Sequence, residues 1–231
     1  MAVHSCDTCV EEVNNCEELS PVNILSIDCD WIMEPSIEIY NQFIHDDTPI
    51  LQQELQKVAP GAFFEASYDN YAQLIETLGQ LKPELTIDDL YTAPSHSEIL
   101  DAINGKWNIQ RPFIIWNIDH HHDCGYENEN TELDEILKRQ PGCAVWVQHL
   151  IATNPNFQGY VWISNRNSNR EIKPQYKRTI PPLFVATNDI SIIGSVQFDK
   201  VFICESPGWV PERYYPLTKS LLYLFEKYIK K

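Results

Sequence analysis

The sequence predicts an α/β protein with three layers, in which a mostly parallel sheet carries helices on both faces. Short apolar runs rich in β-branched residues alternate along the chain with longer segments of helical period. Two of these runs end directly in acidic residues, which is typical of parallel strands whose carboxyl ends carry functional groups. No internal repeat divides the chain, so we expect a single domain over residues 21–231.

The predicted strands are the apolar runs themselves. The run VNILSI at 22–27 leads into Asp28-Cys29-Asp30, and the run FIIWNI at 113–118 leads into Asp119. The other predicted strands are 160–163, 183–186 and 200–204.

The predicted helices have apolar residues three or four positions apart. In the segment 69–81 these residues form one stripe, and Asp69 or Asn70 is the expected N-terminal cap. The other predicted helices are 36–58, broken near Pro49; 95–104; 130–152, in two halves broken at 141–142; and 217–230.

The acidic composition narrows the classes of partner. The chain has 17 Lys and Arg residues against 33 Asp and Glu residues, a formal charge of −16. The electric field of such a negative charge repels nucleic-acid phosphates and attracts cations, whether metals or basic peptides. An acidic surface can also have no role beyond keeping the protein soluble. We therefore expect no nucleic-acid partner.

The first twenty residues predict a flexible acidic arm, because they are polar and have no period. They contain no basic segment followed by a long apolar run, and no stretch of the chain reaches the ~20 apolar residues of a membrane helix. We expect a cytoplasmic protein without a membrane partner. In a cytoplasmic protein, seven cysteines, an odd number, argue against a disulfide framework. Cys6, Cys9 and Cys16 could form a zinc knuckle with His4, but a mobile arm is favoured.

Acidic and imidazole side chains are concentrated after two of the strands. Alternate residues of an extended chain share a face, so Asp28 and Asp30 project together, as do Asp119, His121 and Asp123. If the two strand ends lie side by side, so many half-buried anions are strongly unfavourable unless cations neutralise them. Mixed carboxylate and imidazole ligands suit manganese or a similar metal, and a pair of such ions makes hydroxide available at neutral pH.

Each motif also has a simpler interpretation. Helix caps and loop acids often produce Asp-x-Asp after a strand, and the run 119–123 could form a surface turn. A triple histidine flanked by acids directly after an apolar strand serves no packing purpose, however. The two motifs together favour a metal site.

These motifs resemble those of the arginase/deacetylase superfamily of binuclear manganese or mononuclear zinc hydrolases. The sequence is most similar to the arginase-like family that includes peptide arginases, which convert arginine to ornithine in ribosomally made precursor peptides. The resemblance covers about half of the chain and implies a three-layer α/β/α fold of the arginase/deacetylase type. It rests on ILSIDCDW at 24–31, HSEILDAI at 96–103, FIIWNIDHHHD at 113–123, CAVWVQHLIA at 143–152 followed by GYVWIS, and VFICESPGW at 201–209.

The resemblance implies six ligands for two Mn²⁺ ions. Asp28 and Asp119 would bridge the two ions. The remaining ligands are His96 and Asp123 for the more exposed ion, and Asp30 and His121 for the second ion.

The resemblance also implies groups that bind substrate and move protons. Glu205 matches the glutamate that such enzymes place beneath the guanidinium, although an acid after a strand can be an ordinary loop residue. Asp123 or a nearby histidine would pass a proton to the departing amine; the candidate histidines are His122, His120 and His149. The implied substrate is an arginine-containing precursor peptide, with free arginine and agmatine left open.

The order of the motifs departs from the family's pattern, because Asp-x-Asp here precedes Asp-x-His-x-Asp by about ninety residues and in the family follows it. A permutation that moved one strand to the front would account for this order. The DHH phosphoesterases, manganese enzymes that cleave phosphate esters, have the order seen here and are the chief alternative. The chain lacks their clear middle aspartate motif, and its acidity suits a cationic substrate. A second alternative is a non-catalytic, metal-stabilised binder of basic peptides.

Overall fold

The computed structural model describes residues 20–35, 64–81, 83–124, 142–143, 145–166, 168, 183–207 and 209–229. The strands in this part of the chain are β1 (Val22–Asp28), β2 (Met33–Pro35), β3 (Phe64–Ala66), β4 (Leu90–Ala93), β5 (Phe113–Ile118), β6 (Phe157–Ile163), β7 (Leu183–Thr187) and β8 (Lys200–Cys204). The α-helices are α1 (Tyr68–Gln80), α2 (Ile99–Asp101), α3 (Trp146–Thr153) and α4 (Tyr215–Glu226).

Six of these strands form one sheet in the order β4-β8-β1-β5-β6-β7, and every neighbouring pair is parallel. The two shortest strands, β2 and β3, pair antiparallel in a separate ribbon. The central position of β1 is important for the site, because β1 lies between β8 and β5 although these strands are far apart in the chain. All six carboxyl ends therefore meet at one edge of the sheet.

Helical segments cover the two faces of the sheet, which makes three layers. Leu25 and Ile27 of β1 belong to a buried cluster that includes residues of α1, α4 and the 3-10 segment Ile190–Ser195. Ile24, which points to the opposite face, belongs to a second cluster with residues of α2 and α3. Parallel strands buried on both faces read as continuous apolar runs, which is how β1, β5 and β8 appear in the sequence.

The predicted three-layer α/β fold with a mostly parallel sheet is confirmed. The strands predicted at 113–118 and 200–204 have those bounds in the structure, and β1 and β7 each extend one residue beyond their predicted ends. The predicted helix at 95–104 is a composite, in which a 3-10 turn (His96–Glu98), α2 and a π-helical turn (Ala102–Lys106) follow one another.

Three predicted boundaries are wrong. Helix α1 is capped by Ser67, whose side chain accepts a hydrogen bond from the Asn70 amide, and not by Asp69 or Asn70. Helix α4 begins at Tyr215 instead of residue 217, because Pro216 is compatible with the first turn of a helix. It ends at Glu226 instead of residue 230. Strand β6 begins at Phe157 instead of residue 160.

Several elements carry no clear sequence signal or lie outside the described residues. The strands β2, β3 and β4 are only three or four residues long and were not predicted from the sequence. Residues 1–19, the helix predicted at 36–58 and the first half of the segment 130–152 lie outside the described residues. No helix in the part of the chain that is described is long and apolar enough to cross a membrane.

The packing of α1 against the sheet predicts a stability difference between two positions of this helix. Leu78 is fully buried, whereas Glu76 is exposed. We expect Leu78→Ala to lower the free energy of unfolding by about 2–5 kcal/mol, because it removes buried contacts and leaves a cavity. We expect Glu76→Ala to change it by less than about 0.5 kcal/mol. Urea unfolding followed by circular dichroism measures both values, and equal effects would contradict this packing.

Candidate metal centre

The two acidic motifs meet because their strands are neighbours in the sheet. Ile27 of β1 is in register with Ile118 of β5, so the chain leaves both strands at the same level and on the same edge. Beyond β1 the chain forms a 3-10 turn, Cys29–Ile32, whose cap is the Asp28 side chain accepting from the Asp30 amide. This turn brings the Asp30 carboxylate to His121, with 2.9 Å between Oδ2 and Nδ1.

His96 lies at the centre of three carboxylates. It begins the 3-10 turn after β4, where Ser95 and Glu98 form a capping box, and the residue is 2% exposed. Its Nδ1 lies 3.2 Å from an oxygen of Asp28, 3.0 Å from Asp119 and 3.1 Å from Asp123. All six ligand residues predicted from the sequence are therefore gathered at one edge of the sheet.

Five of the six residues form two overlapping groups, and the sixth, Asp28, lies beside His96. In one group, ligand atoms of His96, Asp119 and Asp123 lie within 4.8 Å of one another; in the other, those of Asp30, Asp119 and His121 do so. Asp119 belongs to both groups. The His121 side chain is 22% exposed, while the Asp30 and Asp119 side chains are nearly inaccessible. The site is therefore buried at its base and reaches solvent beside His121.

The clustering of buried acids changes their proton affinities. Burial, followed by the charges of Asp123 and Asp28, raises the pKa of Asp119 to about 7. Burial, followed by the charges of Asp28 and Asp119, raises the pKa of Asp30 well above 3.8. Burial alone would raise the pKa of Asp28, but contacts with His96 and Ser206 hold it below 3.8. The protein thus holds several carboxylates where water cannot solvate them all.

The buried carboxylates also change the pKa of His96. Burial alone would lower its pKa, but its contacts with Asp119, Asp123 and Asp28 raise it well above 6.5. The Nδ1 atom nevertheless has no aligned hydrogen-bond partner among the described residues. One N–H group cannot satisfy three carboxylates, whereas a cation between a nitrogen and several oxygens can. The buried Asp/His clusters can therefore bind metal ions, and their residues fit that role.

Surrounding side chains hold the candidate ligands in place. Ser26 Oγ lies 2.7 Å from His96 Nε2, which leaves Nδ1 directed at the carboxylates. Trp146 donates from Nε1 to Asp123 at 2.6 Å, and Asn117 donates from its amide to Asp119 at 3.0 Å. The Asn117 amide also donates to the Tyr160 hydroxyl. Such second partners fix the orientation of metal ligands.

The three candidate proton-transfer histidines occupy different environments. His122 is 3% exposed; its Nδ1 accepts from the Cys124 amide, and its ring packs edge-on against Trp162. His120 and His149 are half-buried. Asp123, in contrast, directly faces His96 and has a left-handed backbone with φ of 52°.

The loop after β8 lies at the opening of the site. Glu205 is exposed, and its amide donates to the carbonyl of Ala93, which continues the pairing of β8 with β4. A turn follows in which the amides of Trp209 and Val210 both donate to the Ser206 carbonyl. The Trp209 ring lies 5.0 Å from the His121 ring. Trp209 therefore borders the exposed side of the candidate centre, and Glu205 is an exposed residue of the same loop.

Sequence reasoning missed several residues that contact candidate ligands: Ser26, Asn117, Trp146 and Trp209. A signal existed for Ser26, since it alternates with Asp28 on one strand and must share its face. Trp146 and Trp209 carried no such signal, because their positions depend on a helix and a loop packing against the strand ends.

Comparisons with models of protein families, with curated proteins and with solved structures returned no match.

The raised pKa of Asp119 predicts how the chelator-treated protein responds to pH. Asp119 binds its proton more tightly when folded than when unfolded, so its stabilising contribution falls as the pH rises from 3.8 to about 7. We expect the melting temperature of the wild type, relative to Asp119→Asn, to fall across this window. Added Mn²⁺ should raise the wild-type melting temperature more at the upper end, because ligands must be ionised to bind it. A relative melting temperature that rises with pH would contradict the assignment.

Proposed function

We propose that this chain is a binuclear-metal hydrolase that cleaves the guanidinium group of arginine to give ornithine and urea. The observation that carries the proposal is the convergence of two acidic strand ends on His96 and His121, in two groups that share Asp119. A structural ion needs fewer ligands than this, and a buried excess of carboxylates without cations is unfavourable.

Two Mn²⁺ ions are the proposed cofactors, with Asp28 and Asp119 as ligands to both. The remaining ligands are His96 and Asp123 for one ion, and Asp30 and His121 for the other. When bound, the ions would lower the pKa of water enough to supply a nucleophile at neutral pH and would stabilise developing charge.

Glu205 is the proposed substrate-binding group. A guanidinium is always charged and planar, and it binds a carboxylate through a fork of two hydrogen bonds. Glu205 is exposed in the loop that also carries Trp209, whose ring packs against His121 and offers a second favourable surface for a cation. The acidic surface of the chain would attract such substrates from solution.

Proton transfer is assigned to Asp123. In the reaction, water oxygen bonds to the guanidinium carbon, the bond from that carbon to the side-chain nitrogen breaks, and the departing amine takes up a proton. Asp123 faces the reacting centre, whereas His122 is buried with its Nδ1 accepting from the Cys124 amide. The geometry therefore favours Asp123 over His122 as the proton carrier.

The proposed substrate is arginine within a ribosomally made precursor peptide, and the proposed location is the cytoplasm. Elemental analysis followed by a urea assay with free and with peptidyl arginine tests the proposal. We expect urea release with the peptide, and a peptide mass shifted from arginine to ornithine. Phosphate release from a nucleotide or oligonucleotide, with no urea, would support the phosphoesterase alternative instead.

The proposed ligands predict the effect of two substitutions. Asp30→Asn and His121→Ala each remove a ligand of one ion, so we expect bound metal to fall and turnover to be lost. Metal affinity should drop by about a hundredfold or more, since even partners outside the ligand shell contribute roughly 10- to 100-fold. Asp101→Asn, at an exposed helix position, is the matched control and should bind metal as the wild type does. Full activity in metal-free Asp30→Asn protein would end the proposal.

The role of Glu205 predicts a separation of substrate binding from metal binding. We expect Glu205→Gln to keep its metal and to raise the KM for arginine by about 10- to 100-fold, because a charged hydrogen bond contributes about 1.5–3 kcal/mol. Glu212→Gln, an exposed glutamate after the same loop, should leave KM unchanged. Loss of metal in Glu205→Gln would show that this residue has a different role.

A further inference from the structure

Cys204, the last residue of β8, lies beside the candidate centre. It is in register with Asp28 of β1 on one side and with Ala93 of β4 on the other. Its side chain is fully buried and belongs to the same sheet face as Phe202 and the site residues. The Asp28 carboxylate and the Cys204 thiol therefore emerge from neighbouring strands at the same level.

The thiol is close enough to two candidate ligands to share a metal with them. One ligand atom each of Asp28, His96 and Cys204 lies within 4.8 Å of the other two, and all three residues are buried. The present contacts of Cys204 Sγ are long, at 3.7 Å to the Pro94 carbonyl and 3.6 Å to Ser206 Oγ.

His96 provides an independent sign that a ligand belongs here. Its Nδ1 is buried without an aligned hydrogen-bond partner among the described residues. The ring is fixed from two sides, because it stacks on Phe202 at 5.7 Å and packs against Trp146 at 5.0 Å. A nitrogen held in this way beside three carboxylates is arranged to bind a cation.

The donor set decides which cation this group suits. Carboxylate, imidazole and thiolate together are ligands that Zn²⁺ accepts in tetrahedral sites, whereas Mn²⁺ prefers oxygen-rich sets. Asp28 and His96 can thus bind with Asp119 and Asp123 as a harder set, or with Cys204 as a softer one. The two sets share residues, so one cation at this position excludes another.

We propose that Asp28, His96 and Cys204 form a zinc-binding subsite that overlaps the His96 side of the metal centre. The inference rests on the metal centre of the proposed function, and it assigns the metal selectivity of that centre to one thiol. Binding of the ion releases the thiol proton to solvent, and the thiolate becomes its third protein ligand. Zn²⁺ then competes with Mn²⁺ for this position.

Cobalt substitution tests for the thiolate directly, because Co²⁺ bound to thiolate has an intense near-ultraviolet charge-transfer band that oxygen and nitrogen ligands do not give. The parent protein for these measurements has the substitutions Cys6→Ser, Cys9→Ser and Cys16→Ser, so that the first three cysteines of the chain cannot contribute. We expect the band in this parent and its loss in both Cys204→Ser and Cys204→Ala. Cys143→Ser is the matched control, since Cys143 is half-buried near the centre. Burial, followed by the charges of Asp123 and Asp28, raises its pKa to about 11.

A competition titration of Zn²⁺ against Mn²⁺ supplies the second readout. We expect Cys204→Ser to weaken Zn²⁺ binding by about a hundredfold or more while changing Mn²⁺ binding far less. The inference is overturned if the parent binds Co²⁺ without the band, or if the band persists in Cys204→Ala. In either case urea release by the Mn²⁺-loaded protein would leave the proposed function standing, whereas failure to bind any of the three metals would remove both.

Discussion

The main constraint on the candidate centre is a concentration of buried negative charge around one imidazole. Asp28, Asp119 and Asp123 each place an oxygen 3.0–3.2 Å from His96 Nδ1, and Asp30 lies next to the same group. Without a cation, burial and the charges of neighbouring carboxylates raise the pKa of Asp30 and Asp119, and contacts with the carboxylates raise the pKa of His96. A divalent cation would relieve both effects. The arrangement is therefore better explained by metal binding than by the stability of the protein fold.

The topology of the sheet makes this concentration possible. Because β1 is placed between β8 and β5, acids that are far apart in the sequence leave the sheet side by side. His96 begins the short 3-10 turn that follows the edge strand β4, and β8 ends in Cys204 next to Asp28. The reversed order of the two acidic motifs is thus no obstacle to a shared centre, since neighbours in a parallel sheet need not be consecutive in the chain.

The fold and the candidate ligands could be predicted because they depend on local patterns. Apolar runs fix β1 and β5. Two-residue periodicity does not fix the direction of Asp30 relative to Asp28, because the extended chain ends at Asp28 and Asp30 lies in the 3-10 turn that follows. The short strand β4 could not be predicted, since four residues give no period, and the position of His96 relied on a resemblance alone. The contributions of Trp146, Trp209 and Cys204 arise from contacts between elements distant in sequence, which a pattern along one strand does not contain.

Anomalous diffraction from crystals grown with Mn²⁺ tests the central claim most directly. The account predicts two anomalous peaks about 3.5–4 Å apart, the separation typical of two-metal hydrolytic centres, both within bonding distance of Asp28 and Asp119. Crystals grown at saturating Mn²⁺ that show no peak at the carboxyl ends of β1 and β5 would contradict this claim. Mn²⁺ bound only elsewhere on the acidic surface would contradict it as well.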